Sequence, residues 1–290
     1  MAEKTLERQI EGFLATLTPE ILAPEDYVDW AGIDGRMAPV VDAAGELKEP
    51  LSSDDADALA KAIEDNPRCL DAMLLLIGHT PRRLMFAESG KSIDLDSDPE
   101  RVASETQRAH DIAEAFLETG IGRHLHLVQR VEDVLLGVLI GLQPNRRKNA
   151  RGTAFELAVA GVVTSAVEQV EMPDGADLTA QRQAKILDKR VDYLVSLNAA
   201  PCLAIETNFF TGSGSKPSEV LERAYPDLQR DLSKGNVDLV VITDGAGWQQ
   251  MVPVLERAFP KLDHLMNLKQ AASGNLAEVL SDCVSRRSTP

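Results

Sequence analysis

The sequence predicts an α/β protein, with a helical amino-terminal region over residues 1–140 and an α/β/α sandwich carrying a mixed sheet over residues 141–290. Three observations lead there. The first half consists of amphipathic stretches of helical period, bounded by capping residues, prolines and glycines. The second half interleaves helical stretches with apolar, β-branched runs: VDYLVSL (191–197), APCLAIETNF (200–209) and VDLVVIT (237–243). Charge divides the chain at the same place. Residues 1–140 hold 13 Lys and Arg against 28 Asp and Glu, a net of −15, whereas residues 141–290 hold 17 against 18, a net of −1.

Taken in order, residues 6–17 form an amphipathic helix. Residues 54–65 form the next, with Ser52 and Ser53 as N-cap candidates and a stop before Asn66-Pro67. An apolar segment over 72–77 stops at Gly78. Residues 99–119 are rich in Ala, Glu, Arg and Gln and end at Gly120, a C′ glycine, and 128–142 make a more apolar helix ended by Gln143-Pro144. Acidic loops containing Pro and Gly fill 32–50 and 88–98. Residues 144–153 read as a polar, basic connector, with Gly152-Thr153 starting a helix over 154–169. A short strand precedes the two acidic strands, which are joined by a turn over 198–201. A flexible loop over 211–215 leads to a helix opened by Pro217 and running to about 234. The buried strand 237–243 turns at Asp244-Gly245 into a helix over 249–259, and 264–268 form a last short strand.

Several classes are excluded. There is no apolar run long enough to span a bilayer and no charged-then-apolar signal pattern over 1–14. Cys69, Cys202 and Cys283 lie far apart without a CxxC, which fits reduced thiols in a cytoplasmic protein rather than a disulfide framework or a zinc site. The net charge of −16 argues against a nucleic-acid partner only until its distribution is considered. The near-neutral second half has basic clusters at Arg146, Arg147, Lys148 and Arg151, and at Lys185, Lys189 and Arg190. Such a domain can bind DNA if the acidic half faces away.

The chemistry centres on Asp192 and Glu206, each alone in an otherwise apolar strand. Burying an unpaired carboxylate is costly, so its presence there calls for a compensating partner. Two carboxylates on neighbouring strands can converge on one hard cation, Mg²⁺, as in metal-dependent phosphodiester hydrolysis. The Thr207 carbonyl would be a third ligand. Alternation places Asn208 on the face of Glu206, beside the metal, where it could orient water or phosphate. Glu156, one turn into the preceding helix, could add a ligand or orient metal-bound water. Blander readings stand beside these. Asp192 next to Lys189 and Arg190 also fits a strand-edge ion pair, and Glu156 an exposed helix face. The loop 211–216, with the Ser213 and Ser215 hydroxyls, free backbone N–H groups and Lys216, suits close approach to DNA phosphates or is an ordinary surface loop. Arg146, Arg147, Lys148 and Arg151 are phosphate contacts or a solvated basic linker. Trp248 faces DNA, a dimer partner or the core.

From Arg146 onward the sequence resembles the DpnII/MboI family of type II restriction endonucleases, a branch of the PD-(D/E)XK nuclease superfamily. The resemblance rests on RRKNARGTAFE (146–156), KRVDYLV (189–195), AIETNFFTGSGSK followed by PSE (204–219), Tyr225 and VVITDGAGW (240–248). It implies a Mg²⁺-dependent endonuclease that cuts double-stranded DNA at GATC, works as a homodimer and is paired with a DNA methyltransferase that protects the host. Asp192 matches the superfamily's metal-binding aspartate and Glu206 its second acid. Asn208 falls where the superfamily has lysine, and Lys216 could either bring a cation to that place or bind phosphate. Alternatives are a nuclease of this fold acting on modified or structured DNA, and a non-catalytic DNA-binding relative.

Overall fold

The computed structural model describes residues 2–79, 83–85, 92–94 and 99–288. The chain forms two compact units, one of Pro24–Arg147 and one of Met1–Ala23 with Lys148–Pro290. The first helix, counted above with the amino-terminal region, therefore packs in the sheet-bearing unit.

The unit Pro24–Arg147 is mainly helical. Helices Ala56–Asp65, Arg68–Leu76, Thr106–Leu117 and Val131–Gly141 bury Leu59, Ile63, Met73, Ile112 and Leu135 in one apolar core. Residues 32–50 depart from the expected loop. They lie in the helices Trp30–Met37, Val41–Glu46 and Lys48–Ser52. Their prolines and glycines suggested a loop, but Val40, Ala43, Ala44, Leu47 and Leu51 recur at helical spacing and enter that core, and the periodicity prevails. The helix Ala56–Asp65 is capped by Asp55, whose carboxylate accepts the Ala58 N–H at 3.0 Å, rather than by Ser52 or Ser53. The stretch expected as one helix over 99–119 breaks at Ser104-Glu105 into Pro99–Ala103 and Thr106–Leu117. Strands β1 (Arg83–Met85) and β2 (Ser92–Asp94) pair antiparallel. The rest of the loop expected over 88–98 lies outside the described residues.

The sheet-bearing unit contains β3 (Leu178–Ile186), β4 (Lys189–Leu197), β5 (Ala200–Phe209), β6 (Asp238–Asp244) and β7 (His264–Met266), ordered β3-β4-β5-β6-β7. Pairing is antiparallel from β3 to β5 and parallel from β5 to β7, the mixed sheet expected. Two-residue turns at Leu187-Asp188 and Asn198-Ala199, all at positive φ, join the antiparallel strands, as the strand twist favours. On one face, Phe155, Val159 and Val163 of the helix Pro144–Gln169 and Leu276 and Leu280 of the helix Leu276–Ser288 cover Val195, Leu203, Ile205 and Ile242. On the other, Ile10 and Phe13 of the helix Ala2–Ala15 join Leu221, Leu228, Leu232 and Leu255 over Leu194, Ala204, Leu239 and Val241. The result is the α/β/α sandwich.

Three local features differ from expectation. Residues 144–153 are not a connector but the first turns of the 26-residue helix Pro144–Gln169. Their polar sequence hid this because the buried face of that helix begins only at Phe155. Strand β3 is nine residues long, and six of its positions are exposed, so it lacks the apolar run by which the other strands were recognised. The helix Leu276–Ser288 was not anticipated.

Candidate active site

The β4–β5 ladder runs from Leu197↔Ala200 to Tyr193↔Ile205, and Asp192 and Glu206 are the next residue on each strand, just past the last paired positions. There the Asp192 side chain takes over from the backbone. Its Oδ2 accepts both the Thr207 N–H and the Thr207 hydroxyl, each at 2.8 Å. Both bonds converge on one oxygen, which leaves Oδ1 with its lone pairs for another partner. The strand-edge alternative for Asp192 does not hold for Lys189, whose ammonium pairs with Asp231 at 2.7 Å.

Glu206 is the electrostatic counterpart. Burial, and then the Asp192 charge, push its carboxyl up to about 8, so without a cation it holds a proton near neutrality. A desolvated carboxyl beside a second carboxylate, both hard oxygen donors, is a donor set that a small divalent cation fits, since the cation offsets the two terms that disfavour ionisation. Asn208, two residues along the same strand, donates from Nδ2 to the Tyr225 hydroxyl. Tyr225 is 5 % exposed. Burial and the Glu206 and Asp192 charges hold its phenol well above the ordinary range, so it stays protonated.

Thr207 and Asn208 open into a cleft of about 630 Å³. Glu156, Lys148, Ser213, Ser215 and Lys216 also line it. Six of the expected site residues thus share one cavity; Asp192 and Glu206 are not among its lining residues, and Asp192 reaches it only through its bonds to Thr207. Lys148 and Lys216 are exposed and have no ion-pair partner among the described residues. The remaining arginines are placed otherwise. Arg151 grips both oxygens of Glu20, at 2.7–3.0 Å. Arg146 pairs with Asp29 at 3.1 Å, and Arg147 belongs with it to the helical unit. None of the three lines the cleft. Glu156 is engaged as well: Arg182 of β3 donates to it at 2.7 Å, and the Tyr193 hydroxyl donates to its backbone carbonyl at 3.1 Å. Arg182 and Tyr225 were not singled out for a role from the sequence. Arg182 sits opposite Tyr193, a register relation that only the paired strands reveal.

The cleft loop is held by the turn after β6. Phe210 donates its N–H to the Asp244 carbonyl and accepts the Gly247 N–H, each at 2.9 Å. Gly245 lies at φ +106, and a Cβ there would come within 2.3 Å of the Phe210 carbonyl oxygen. Only glycine fits. The buried Asp244 carboxylate accepts the N–H groups of Thr18, Gly245 and Leu268 at 2.6–3.0 Å. Trp248 is fully buried, donates to Thr243 at 3.0 Å and meets Phe210 edge-on. It is a core residue.

The mixed sheet thus carries two acids just past the last paired positions of β4 and β5, and the cleft bounded by Thr207 and Asn208 is lined by Lys148, Lys216 and Glu156 among others. The DpnII restriction endonuclease family model matches residues 9–278, and the chain belongs to that family. Similar proteins include the type II restriction enzymes DpnII of Streptococcus pneumoniae (27 % identical, covering 90 % of this chain and 94 % of that one) and LlaDCHI of Lactococcus lactis subsp. cremoris (24 %, covering 93 % and 94 %). The type II restriction enzyme MboI of Moraxella bovis is 23 % identical, with 89 % and 91 % covered. No solved structure matches the chain. Among the described residues no helix is long and apolar enough to cross a membrane.

Proposed function

We propose that this protein is a type II restriction endonuclease that hydrolyses phosphodiester bonds of double-stranded DNA, with Mg²⁺ held by Asp192 and Glu206. The observation that carries the reading is that these two acids follow directly on the last paired positions of β4 and β5, one desolvated and raised by the charge of the other, which is anchored by Thr207. A bound Mg²⁺ supplies charge neutralisation at the phosphoryl oxygens and polarises the attacking water.

The chain's own residues do the rest. Thr207 fixes the Asp192 carboxylate through Oδ2 and leaves Oδ1 to the cation. Asn208, in the position where the superfamily has lysine, orients water at the cleft floor. Lys148, Lys216 and the hydroxyls of Ser213 and Ser215 contact the DNA phosphates, which position the duplex without reading its sequence. Glu156, which lines the cleft, is paired with Arg182, and this offsets its negative charge toward the incoming phosphate.

The family resemblance supports GATC as the target, a homodimer matching the two-fold symmetry of a palindrome, a cytoplasmic setting and a companion methyltransferase. At 22–27 % identity, base-reading contacts need not carry over. Plasmid incubated with the protein and Mg²⁺ should therefore be mapped end by end. Discrete fragments ending at GATC, altered by methylation of that site, support the whole reading. Discrete fragments at another sequence would overturn the specificity alone. Intact DNA across a range of salt concentrations would overturn the activity.

A further inference from the structure

We infer that Tyr225 is a positioning residue that locks the Asn208 amide so that its carbonyl oxygen is presented to the cleft, where it holds the attacking water; this rests on the nuclease reading above. The first observation is the bond itself. Asn208 Nδ2 donates to the Tyr225 hydroxyl, so the amide nitrogen is taken and Oδ1 is the amide atom left for the cleft that Asn208 lines. The phenol holds the side chain in place, and in this arrangement the amide nitrogen is turned to Tyr225 and Oδ1 away from it. The distinction matters chemically. Lysine presents only donors, whereas Oδ1 is an acceptor, able to take a hydrogen bond from water and aim a lone pair of that water at phosphorus.

The second observation is the helix geometry. Tyr225 directly follows a π-helical turn, Val220–Ala224, set between the α-helical segments Ser215–Glu219 and Tyr225–Ser233. A π turn holds one residue more than an α turn, which rotates everything beyond it by roughly 100° relative to an unbroken helix. The rotation brings the Tyr225 ring into the apolar layer with Leu194, Ala204 and Leu221, and its hydroxyl to Asn208. An α-helical continuation would carry the ring off this line. The third observation is the surroundings: the ring is buried, and the hydroxyl, bonded to Asn208, lies within electrostatic reach of Glu206 and Asp192.

The test is a double-mutant cycle on the full chain, with Y225F, N208A and the double variant assayed for cleavage of a DNA substrate in Mg²⁺. Each single variant should lower kcat by about 10- to 100-fold, the range for residues that orient a reacting group, with KM for DNA unchanged. Because Tyr225 acts through Asn208, adding Y225F to N208A should change kcat by less than about twofold. Losses that multiply in the double variant would overturn the proposal, as would a Y225F enzyme as fast as the parent. If Y225F does not fold, as judged by thermal unfolding, N208A alone decides: a kcat within twofold of the parent overturns the proposal. Failure of the unaltered protein to cut DNA would instead overturn the nuclease reading, so the two failures are distinct.

Discussion

Asp192 and Thr207 are joined twice through one atom, the carboxylate Oδ2, which accepts the backbone N–H and the side-chain hydroxyl at 2.8 Å each. The first bond stands where a strand-to-strand hydrogen bond would otherwise continue the ladder past Tyr193↔Ile205. The second depends on the threonine side chain alone and can be removed without touching the backbone.

Thr207→Val keeps the shape and the N–H contact but deletes the hydroxyl. The variant should fold with its melting temperature little changed. The Mg²⁺ concentration giving half-maximal cutting should rise by about 10- to 100-fold, as for other partners that orient a metal ligand. An unchanged Mg²⁺ requirement would show that the hydroxyl does not orient Asp192.

The raised Glu206 carboxyl makes stability depend on pH in the ion-free protein. Burial and the Asp192 charge push the carboxyl from the ordinary 4.5 up to about 8 in the folded protein. The folded state therefore holds the proton more tightly, and this contribution to stability is complete below about 4.5 and is lost as pH rises through about 8. Thermal unfolding followed from pH 5 to 9 in chelator should show that decline, Glu206→Gln should flatten it, and added Mg²⁺ should reverse it in the parent only. A parent and variant with parallel curves would contradict the assignment.

Lys148 and Lys216 should each act as a point charge on the duplex backbone. Replacing either by Ala should weaken DNA binding similarly for all sequences and reduce the slope of log K against log salt by about one unit. Fluorescence anisotropy with Ca²⁺ in place of Mg²⁺ measures this without cutting. Arg151→Ala, by contrast, removes the partner of Glu20 and should show mainly as lost stability.

Gly245→Ala places a methyl group 2.3 Å from the Phe210 carbonyl oxygen at a backbone conformation foreign to alanine. The variant should lose on the order of 1–3 kcal/mol in denaturant unfolding. It should also cut more slowly, because Phe210 opens the loop that carries Ser213, Ser215 and Lys216. Wild-type stability would mean that this turn is more pliant than its contacts require.

Much of this site was legible in the sequence for a physical reason: a carboxylate in an apolar strand is costly, and two of them in succession mark a place where something else offsets the cost. The loop 211–216 was legible from its glycines and hydroxyls. The Arg182–Glu156 pair was not, because it depends on how β3 aligns with β4, and β3 carries no apolar pattern that would reveal its register. Tyr225 matched a family position, but its contact with Asn208 depends on a π turn that no local pattern announces. The helices over 32–50 and 144–153 were hidden for a related reason: glycine, proline and charge set the composition, while a few spaced apolar residues set the structure.

Cleavage and binding by the single variant Asp192→Asn test the central claim most directly. The substitution replaces one carboxylate oxygen with nitrogen at constant shape, so it should lower the cutting rate by several orders of magnitude while leaving affinity for the uncut duplex within a fewfold of the parent. A variant that still cuts at near-parental rate, with the parent active under the same conditions, would contradict the account.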